Sequence, residues 1–250
     1  VYGLSKDIPS EPSMFKEIGL KKKIVHYEQD VRDLESVKRI IKEVKPDFVF
    51  HLAAQALVSV SYSDPIETIT TNIIGTTNIL DALKQSNHNC VGIFITSDKC
   101  YDNVEWEWGY KETDALGGKD IYSGSKGAAE LIFKSYYHSF FMKDESNVKV
   151  ATTRAGNVVG GGDWAKNRIV PDCMRAWSNN EIVEIRSPNA TRPWQHVLEP
   201  LSGYLALGKK LYEEHALNGE SFNFGPMSQY SHTVEMLLQD MSKYWNIQDS

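Results

Sequence analysis

The stretch Cys90-Val91-Gly92-Ile93-Phe94-Ile95-Thr96-Ser97-Asp98-Lys99 runs six residues without a charge, then changes abruptly to two hydroxyls, a carboxylate and an amine. A short continuous apolar run bounded by polar residues reads as a strand buried on both faces, here residues 90–97. In an open parallel sheet, ligands gather outside the carboxyl ends of the strands. The polar groups that close this run therefore stand where chemistry is expected.

Working outward, similar runs predict strands at 1–5, 23–28, 47–53 and 148–154. Amphipathic segments alternate with them. Leu34, Val37, Ile40, Ile41 and Val44 recur at helical spacing over 33–44, with Asp30 or Asp33 as the cap. A second helix over 65–86 opens on Pro65 after Asp64, and a third spans 122–142. Strands alternating with helices define an α/β fold with a doubly wound parallel sheet. After residue 155 the texture changes, predicting a helix near 168–178, a strand near 182–186, and helices at 196–215 and 232–244.

At 250 residues and 41% apolar content the chain can bury a full core, and one large domain or slightly more is expected. Its formal charge of −6 disfavours general affinity for nucleic acid or anionic lipid. Cys90, Cys100 and Cys173 lack paired spacing, which points to a reducing cytoplasm. The seven histidines make no H-E-x-x-H or H-x-x-H pattern, so no metal is expected. No apolar run approaches the roughly 20 residues of a bilayer span.

Tyr122-Ser123-Gly124-Ser125-Lys126 sets a phenol and an ammonium on one helix face. A tyrosine with its usual pKa of about 10 is a poor base, and a neighbouring cation brings the phenolate within reach. The Tyr-x-x-x-Lys spacing arises easily by chance. Its order after the 90–99 stretch, and after Phe50-His51-Leu52-Ala53-Ala54, where small residues close a strand, gives it weight.

In this order the chain resembles the extended short-chain dehydrogenase/reductase family, and within it the nucleotide-sugar 4,6-dehydratases. The resemblance rests on Asp30-x-x-Asp33, His51-Leu52-Ala53-Ala54, Asn72-x-x-Gly75-Thr76-x-Asn78, Tyr122-x-x-x-Lys126, Arg154-x-x-Asn157-Val158 and Arg192-Pro193-Trp194-x-His196-Val197. Ser97-Asp98-Lys99 resembles the members that act on CDP-glucose, as do Asp102-Asn103-Val104-Glu105-Trp106, Gly117-Gly118-Lys119-Asp120, Gly160-Gly161-Gly162-Asp163-Trp164 and Pro188-Asn189-Ala190-Thr191-Arg192.

The resemblance implies a Rossmann-like NAD(P)-binding domain over 1–157 and a smaller, mainly substrate-binding α/β region over 158–250, with segments returning to the sheet. It implies a cytoplasmic hydro-lyase of deoxysugar and O-antigen (lipopolysaccharide) biosynthesis that uses NAD. Ser97, Asp98, Lys99, Tyr122 and Lys126 would be catalytic. Tyr122 with Ser97 would deprotonate the 4-hydroxyl, Lys99 would take the proton from carbon 5, and Asp98 would protonate the leaving 6-hydroxyl. Burial or like-charge pressure would keep Lys99 neutral and Asp98 protonated.

Asp30, Val31, Leu52, Ala53, Ala54 and Thr96, with Tyr122 and Lys126, would line the cofactor, and Asn72 would organise the site. Asn157, Arg168 and Arg192, together with Ser97 and His196, would bind the nucleotide sugar. Helices 65–86 and 122–142 would form a homodimer.

A nicotinamide enzyme of this fold needs a glycine-rich turn after its first strand. Here Gly160-Gly161-Gly162 lies too late to serve. The expectation is therefore a chain lacking the first strand, glycine loop and first helix, and also the end of the substrate region, binding cofactor poorly or not at all. Two alternatives stay open: a UDP-N-acetylglucosamine 4,6-dehydratase or other extended short-chain enzyme, and an inactive binding or dimerisation module.

Overall fold

The computed structural model describes residues 1–143, 145–227 and 232–245. Four parallel strands form the central sheet in the order Phe48–His51, Cys90–Ile95, Val148–Ala155, Ser221–Phe224. Strands Tyr2–Ser5 and Val25–Glu28 pair in parallel as a separate two-stranded sheet. All five strands expected before residue 155 are present.

The alternation of side chains along Cys90–Ile95 shows why the sheet is covered on both faces. Cys90 and Phe94 point into a core with Leu80, Leu83, Phe133 and Val150, beneath helices Gly75–Lys84 and Ile121–Tyr136. Val91 and Ile93 point the other way, against Leu207 and Leu211 of helix Leu198–Glu213. Each fully buried aliphatic or aromatic side chain contributes about 1.5–3 kcal/mol, so both faces are held by the same hydrophobic term.

Helix Leu34–Val44 is capped by Asp33, whose carboxylate accepts from Ser36 N–H at 3.1 Å, and it stops at Lys45 in a left-handed conformation (φ 47°) before Pro46. The segment 65–84 begins at Pro65 behind the Asp64 cap but is not a uniform helix. One π turn, Thr70–Ile74, is inserted between Pro65–Ile69 and Gly75–Lys84. A second π turn, Tyr137–Phe141, ends the Tyr122 helix. Helices Ile169–Ser178, Leu198–Glu213 and Val234–Ser242 fill the later expectations.

The strand expected near 182–186 is not formed. Among the described residues no strand pairs with it to take up its backbone groups, and Ile182 is 96% exposed. In its place the second region uses two-residue strands: Val158–Val159 pairs with Gln195–His196, and Thr191–Arg192 with His232–Thr233. Sequence reading also passed over Ser221–Phe224, which joins the main sheet. These pairings bring the Arg192 segment back towards the carboxyl ends of the central strands.

Candidate active site

Strand Cys90–Ile95 ends, and Ser97 caps a short 3-10 turn, Asp98–Cys100. The Ser97 hydroxyl donates to Asp98 Oδ1 at 3.0 Å and accepts from Lys99 N–H at 3.3 Å, which folds the three polar residues into one knot. Helix Ile121–Tyr136 opens opposite, capped by Asp120, whose carboxylate accepts from Ser123 N–H at 2.9 Å and from the Ser123 hydroxyl at 2.7 Å. That cap fixes the first turn, and with it Tyr122.

Tyr122 and Lys126 are both buried, at 8% and 6% exposure. The phenol lies beside Ser97, Asp98 and Arg168, and Asp98 in turn lies beside Lys99 and Arg192. A Cβ on Gly156, next to Asn157, would stand 3.4 Å from Asp98 Oδ2. Residues from four separate segments of the chain thus converge: 97–99, 122, 168 and 192.

Burial raises Asp98 above the usual carboxylate range, against the lowering effect of the Ser97 hydrogen bond, Lys99 and Arg192. Burial pushes Lys126 down to about 8, opposed by Cys100 and Glu130. The expectation that a cation would lower Tyr122 is corrected. Burial raises the phenol, Asp98 adds to the rise, and Ser97 and Arg168 only partly offset it. The expectation that burial would keep Lys99 neutral is not met either, since Lys99 is exposed.

Asn72 sits in the π turn, the extra residue of which swings it inward to 2% exposure. Its amide donates to the Gln55 carbonyl at 3.1 Å and to the Ser125 hydroxyl at 2.9 Å, and accepts from Gln55 N–H at 2.8 Å. It therefore ties the loop after strand Phe48–His51 to the Tyr122 helix. His51 is buried against Thr76 at 3.0 Å, and burial with the nearby Lys126 pushes it down to about 3.

Other expected cofactor contacts are occupied by the protein itself. The Asp30 carboxylate is held by Arg32, with Nη2 at 2.6 Å, while Val31 is core, packed where a Cβ on Gly75 would stand 2.7 Å away. Thr96 turns its hydroxyl to Glu130 at 2.6 Å. Leu52 is 53% exposed, and Ala53 and Ala54 are partly so, leaving that strand end open. Lys126 makes no hydrogen bond among the described residues, so the buried amine is free to meet a ribose hydroxyl.

On the other side, Asn157 offers its backbone carbonyl to Gln195 N–H at 2.9 Å, and Arg168 reaches Asp163 at 3.5 Å. Arg192 is exposed and donates to the Thr191 carbonyl at 2.7 Å. His196 is exposed and accepts from Leu198 N–H at 3.3 Å, with nothing tying it to the cluster. Among the described residues no group of three His, Cys, Asp or Glu side chains could hold a metal, and no helix is long and apolar enough to cross a membrane.

A parallel α/β sheet with a buried Tyr-x-x-x-Lys helix beside a Ser-Asp-Lys turn defines the class of extended short-chain dehydrogenase/reductase folds. Within it, the chain belongs to the GDP-mannose 4,6 dehydratase family, whose model matches residues 12–243. Over 248 residues it is 47% identical to CDP-glucose 4,6-dehydratase of Salmonella typhimurium, covering 98% of this chain and 69% of that enzyme. The fold matches dTDP-glucose 4,6-dehydratase of Streptomyces venezuelae, solved with NAD bound, at a TM-score of 0.82 and 16% identity over 99% of this chain and 72% of that one. It also matches UDP-glucose 4-epimerase of Thermotoga maritima at 0.78 and 20% identity, over 99% and 84%.

Two buried groups escaped the assignment of roles, Glu130 and Arg154. Their signals were present: Glu130 follows Lys126 by one helical turn, and Arg154 is a full charge inside a strand that is otherwise buried, which demands a partner.

Proposed function

We propose that this protein converts CDP-glucose to CDP-4-keto-6-deoxyglucose with NAD as a transient hydride acceptor. The observation that carries this reading is the Asp98 carboxyl, raised by burial and hydrogen-bonded to Ser97 beside Tyr122. A redox pair alone suits reductases and epimerases. A carboxyl that burial makes easier to protonate, set next to it, can supply the proton that a departing hydroxide needs, which suits elimination. The cytidine nucleotide follows the name of the 47% identical Salmonella relative.

NAD, when bound, supplies a hydride acceptor for carbon 4 and a positive charge that favours the phenolate. Lys126, with the open strand end at Leu52, Ala53 and Ala54, would hold it. Tyr122 takes the proton of the 4-hydroxyl while Ser97 hydrogen-bonds the same oxygen. The resulting ketone acidifies carbon 5, and Lys99 removes that proton. Carbon 6 loses its oxygen as water, protonated by Asp98; Lys99 returns its proton to carbon 5, while carbon 6 would take back the hydride held by the bound cofactor, which would so end unchanged.

Lys99 stands exposed, so a bound sugar would complete its burial. Arg168 and Arg192 would match diphosphate oxygens as forks. We assign residues 1–157 to the cofactor side and 158–250 mainly to the substrate side. A homodimer accords with the apolar residues left uncovered on the two helical segments, Ile66 (66% exposed) and Leu131 (55%), and a cytoplasmic location with the three free cysteines.

The experiment is incubation of the full-length protein with NAD and, separately, CDP-glucose, UDP-N-acetylglucosamine and dTDP-glucose, following loss of one water by mass spectrometry. CDP-glucose should turn over fastest, and Lys99→Ala should reduce cofactor without releasing dehydrated product. Wild-type product formation by that variant refutes the role of Lys99, and preference for another nucleotide refutes the substrate. Sedimentation velocity of the same sample should give the mass of two chains.

A further inference from the structure

We propose that the Glu130–Arg154 pair is a positioning clamp that grips both ends of the Ser97-Asp98-Lys99 turn and ties it to the helix carrying Tyr122 and Lys126. The inference rests on the dehydratase reading above. Both side chains of the pair are fully buried, at 0% exposure. Arg154 Nε donates to Glu130 Oε1 at 3.0 Å and Nη2 to Oε2 at 2.8 Å, a two-pronged contact that fixes direction as well as distance. A buried ion pair is a costly way to gain stability, since apolar side chains of similar volume often do as well. Its distinctive property is orientation.

Thr152 at 3.0 Å, Ser221 at 3.4 Å and the Glu112 carbonyl at 3.0 Å anchor the pair to its surroundings, and two further hydrogen bonds reach the flanks of the turn. On one side of the turn, the Thr96 hydroxyl donates to Glu130 Oε1 at 2.6 Å. On the other side, Arg154 Nη1 donates to the Tyr101 hydroxyl at 2.8 Å and the guanidinium lies 4.9 Å from the centre of the Tyr101 ring. The Tyr101 hydroxyl donates a hydrogen bond to Asn223 Oδ1 at 2.6 Å, anchoring it to the strand Ser221–Phe224. Residues 97–100 therefore lie between two gripped neighbours.

The third anchor is the helix. Glu130 follows Lys126 by four residues and Tyr122 by eight, so the carboxylate sits on the face that carries both. The helix also rests directly on the turn: a Cβ on Gly127 would stand 2.8 Å from the Gly117 carbonyl oxygen and 3.2 Å from that of Cys100. Lys126 feels both Glu130 and Cys100 electrostatically. One pair thus sets the spacing between the proton acceptor on the helix and the acid and base on the turn.

Tyr101→Phe cuts one grip and leaves the ion pair intact, and Arg154→Lys keeps the charge while removing the fork. In the full-length protein with NAD and CDP-glucose, each should lower kcat about 10- to 100-fold with little change in KM, the scale of a small misplacement of reacting groups. In the ligand-free protein, hydrogen exchange of Tyr101→Phe should quicken about tenfold over 97–101 and stay unchanged over 122–136. Wild-type kcat in Arg154→Lys, or faster exchange spread evenly over both segments, overturns the clamp. If the wild-type protein dehydrates no nucleotide hexose, the reading of the reaction fails, and the exchange measurement still decides the clamp.

Discussion

The two flanks of the site are built to different standards. On the helix flank, Tyr122, Lys126, Ser97, Glu130 and Arg154 are all at most 8% exposed, and the Glu130–Arg154 pair meets Thr96, Thr152 and Tyr101 within 3.0 Å. On the substrate flank, Lys99, Arg192 and His196 are exposed, and Arg168 has one distant carboxylate at 3.5 Å. On the proposed mechanism the groups that oxidise carbon 4 are fixed before any ligand arrives, whereas Lys99, the proposed base at carbon 5, is not. Arg168 and Arg192, proposed to meet the diphosphate, hold only weak partners, and exchanging such partners for phosphate oxygens would cost little.

The contrast can be broken most severely on the helix flank. Arg154→Met leaves Glu130 buried with no counter-charge, which should cost about 3–5 kcal/mol of stability in urea unfolding. A loss below about 1 kcal/mol would mean that the pair is relaxed by water and that this flank is less rigid than its geometry indicates.

Lys126 sharpens the comparison because function there opposes stability. Its folded-state value of about 8 lies below its ordinary 10.5, so the folded chain binds this proton less tightly than the unfolded chain. Between those two values the unfolded state carries more protons, and wild-type stability should rise with pH. Below pH 8 the amine is charged in both states and the whole penalty is present. Lys126→Met should therefore abolish turnover yet stabilise the fold at pH 7 by up to about 3 kcal/mol. The gap between variant and wild type should close as pH rises towards 10.5, and denaturant melts at pH 7 and pH 9.5 check both the sign and the slope. A variant less stable than wild type at pH 7 would remove the claimed opposition.

How far this was legible from sequence follows the same division. The parallel strands and the Tyr122 helix could be read from periodicity, because Val91 and Ile93 on one face and Cys90 and Phe94 on the other each need a helix to cover them. The convergence of 97–99 with 122 could also be read, since both lie at one sheet edge. The π turn at Thr70–Ile74 could not, because one extra residue per turn leaves the apolar pattern nearly unchanged. Strand Ser221–Phe224 was missed although Gly219 and Gly225 bracket it, because four residues are too few to show a period. The strand expected at 182–186 failed for the opposite reason: Ile182-Val183 supplies local propensity, but among the described residues no strand pairs with it. The partners of Arg154 lie 24 and 53 residues away in Glu130 and Tyr101, a separation that only the fold bridges.

The smallest change in stability belongs to Arg192, and it tests the substrate flank alone. Its guanidinium donates to the carbonyl of the preceding residue, Thr191, and it is exposed, so Arg192→Met should alter unfolding stability by no more than about 0.5 kcal/mol. If the flank is held ready for an anion, the same variant should weaken CDP-glucose binding by roughly 10- to 100-fold, the worth of a hydrogen bond to a charged group, while single-turnover chemistry at saturation changes far less. Unchanged binding would move the diphosphate away from Arg192. A drop in the chemical step instead would bring Arg192, which already lies close enough to Asp98 to lower it, into the machinery of the helix flank.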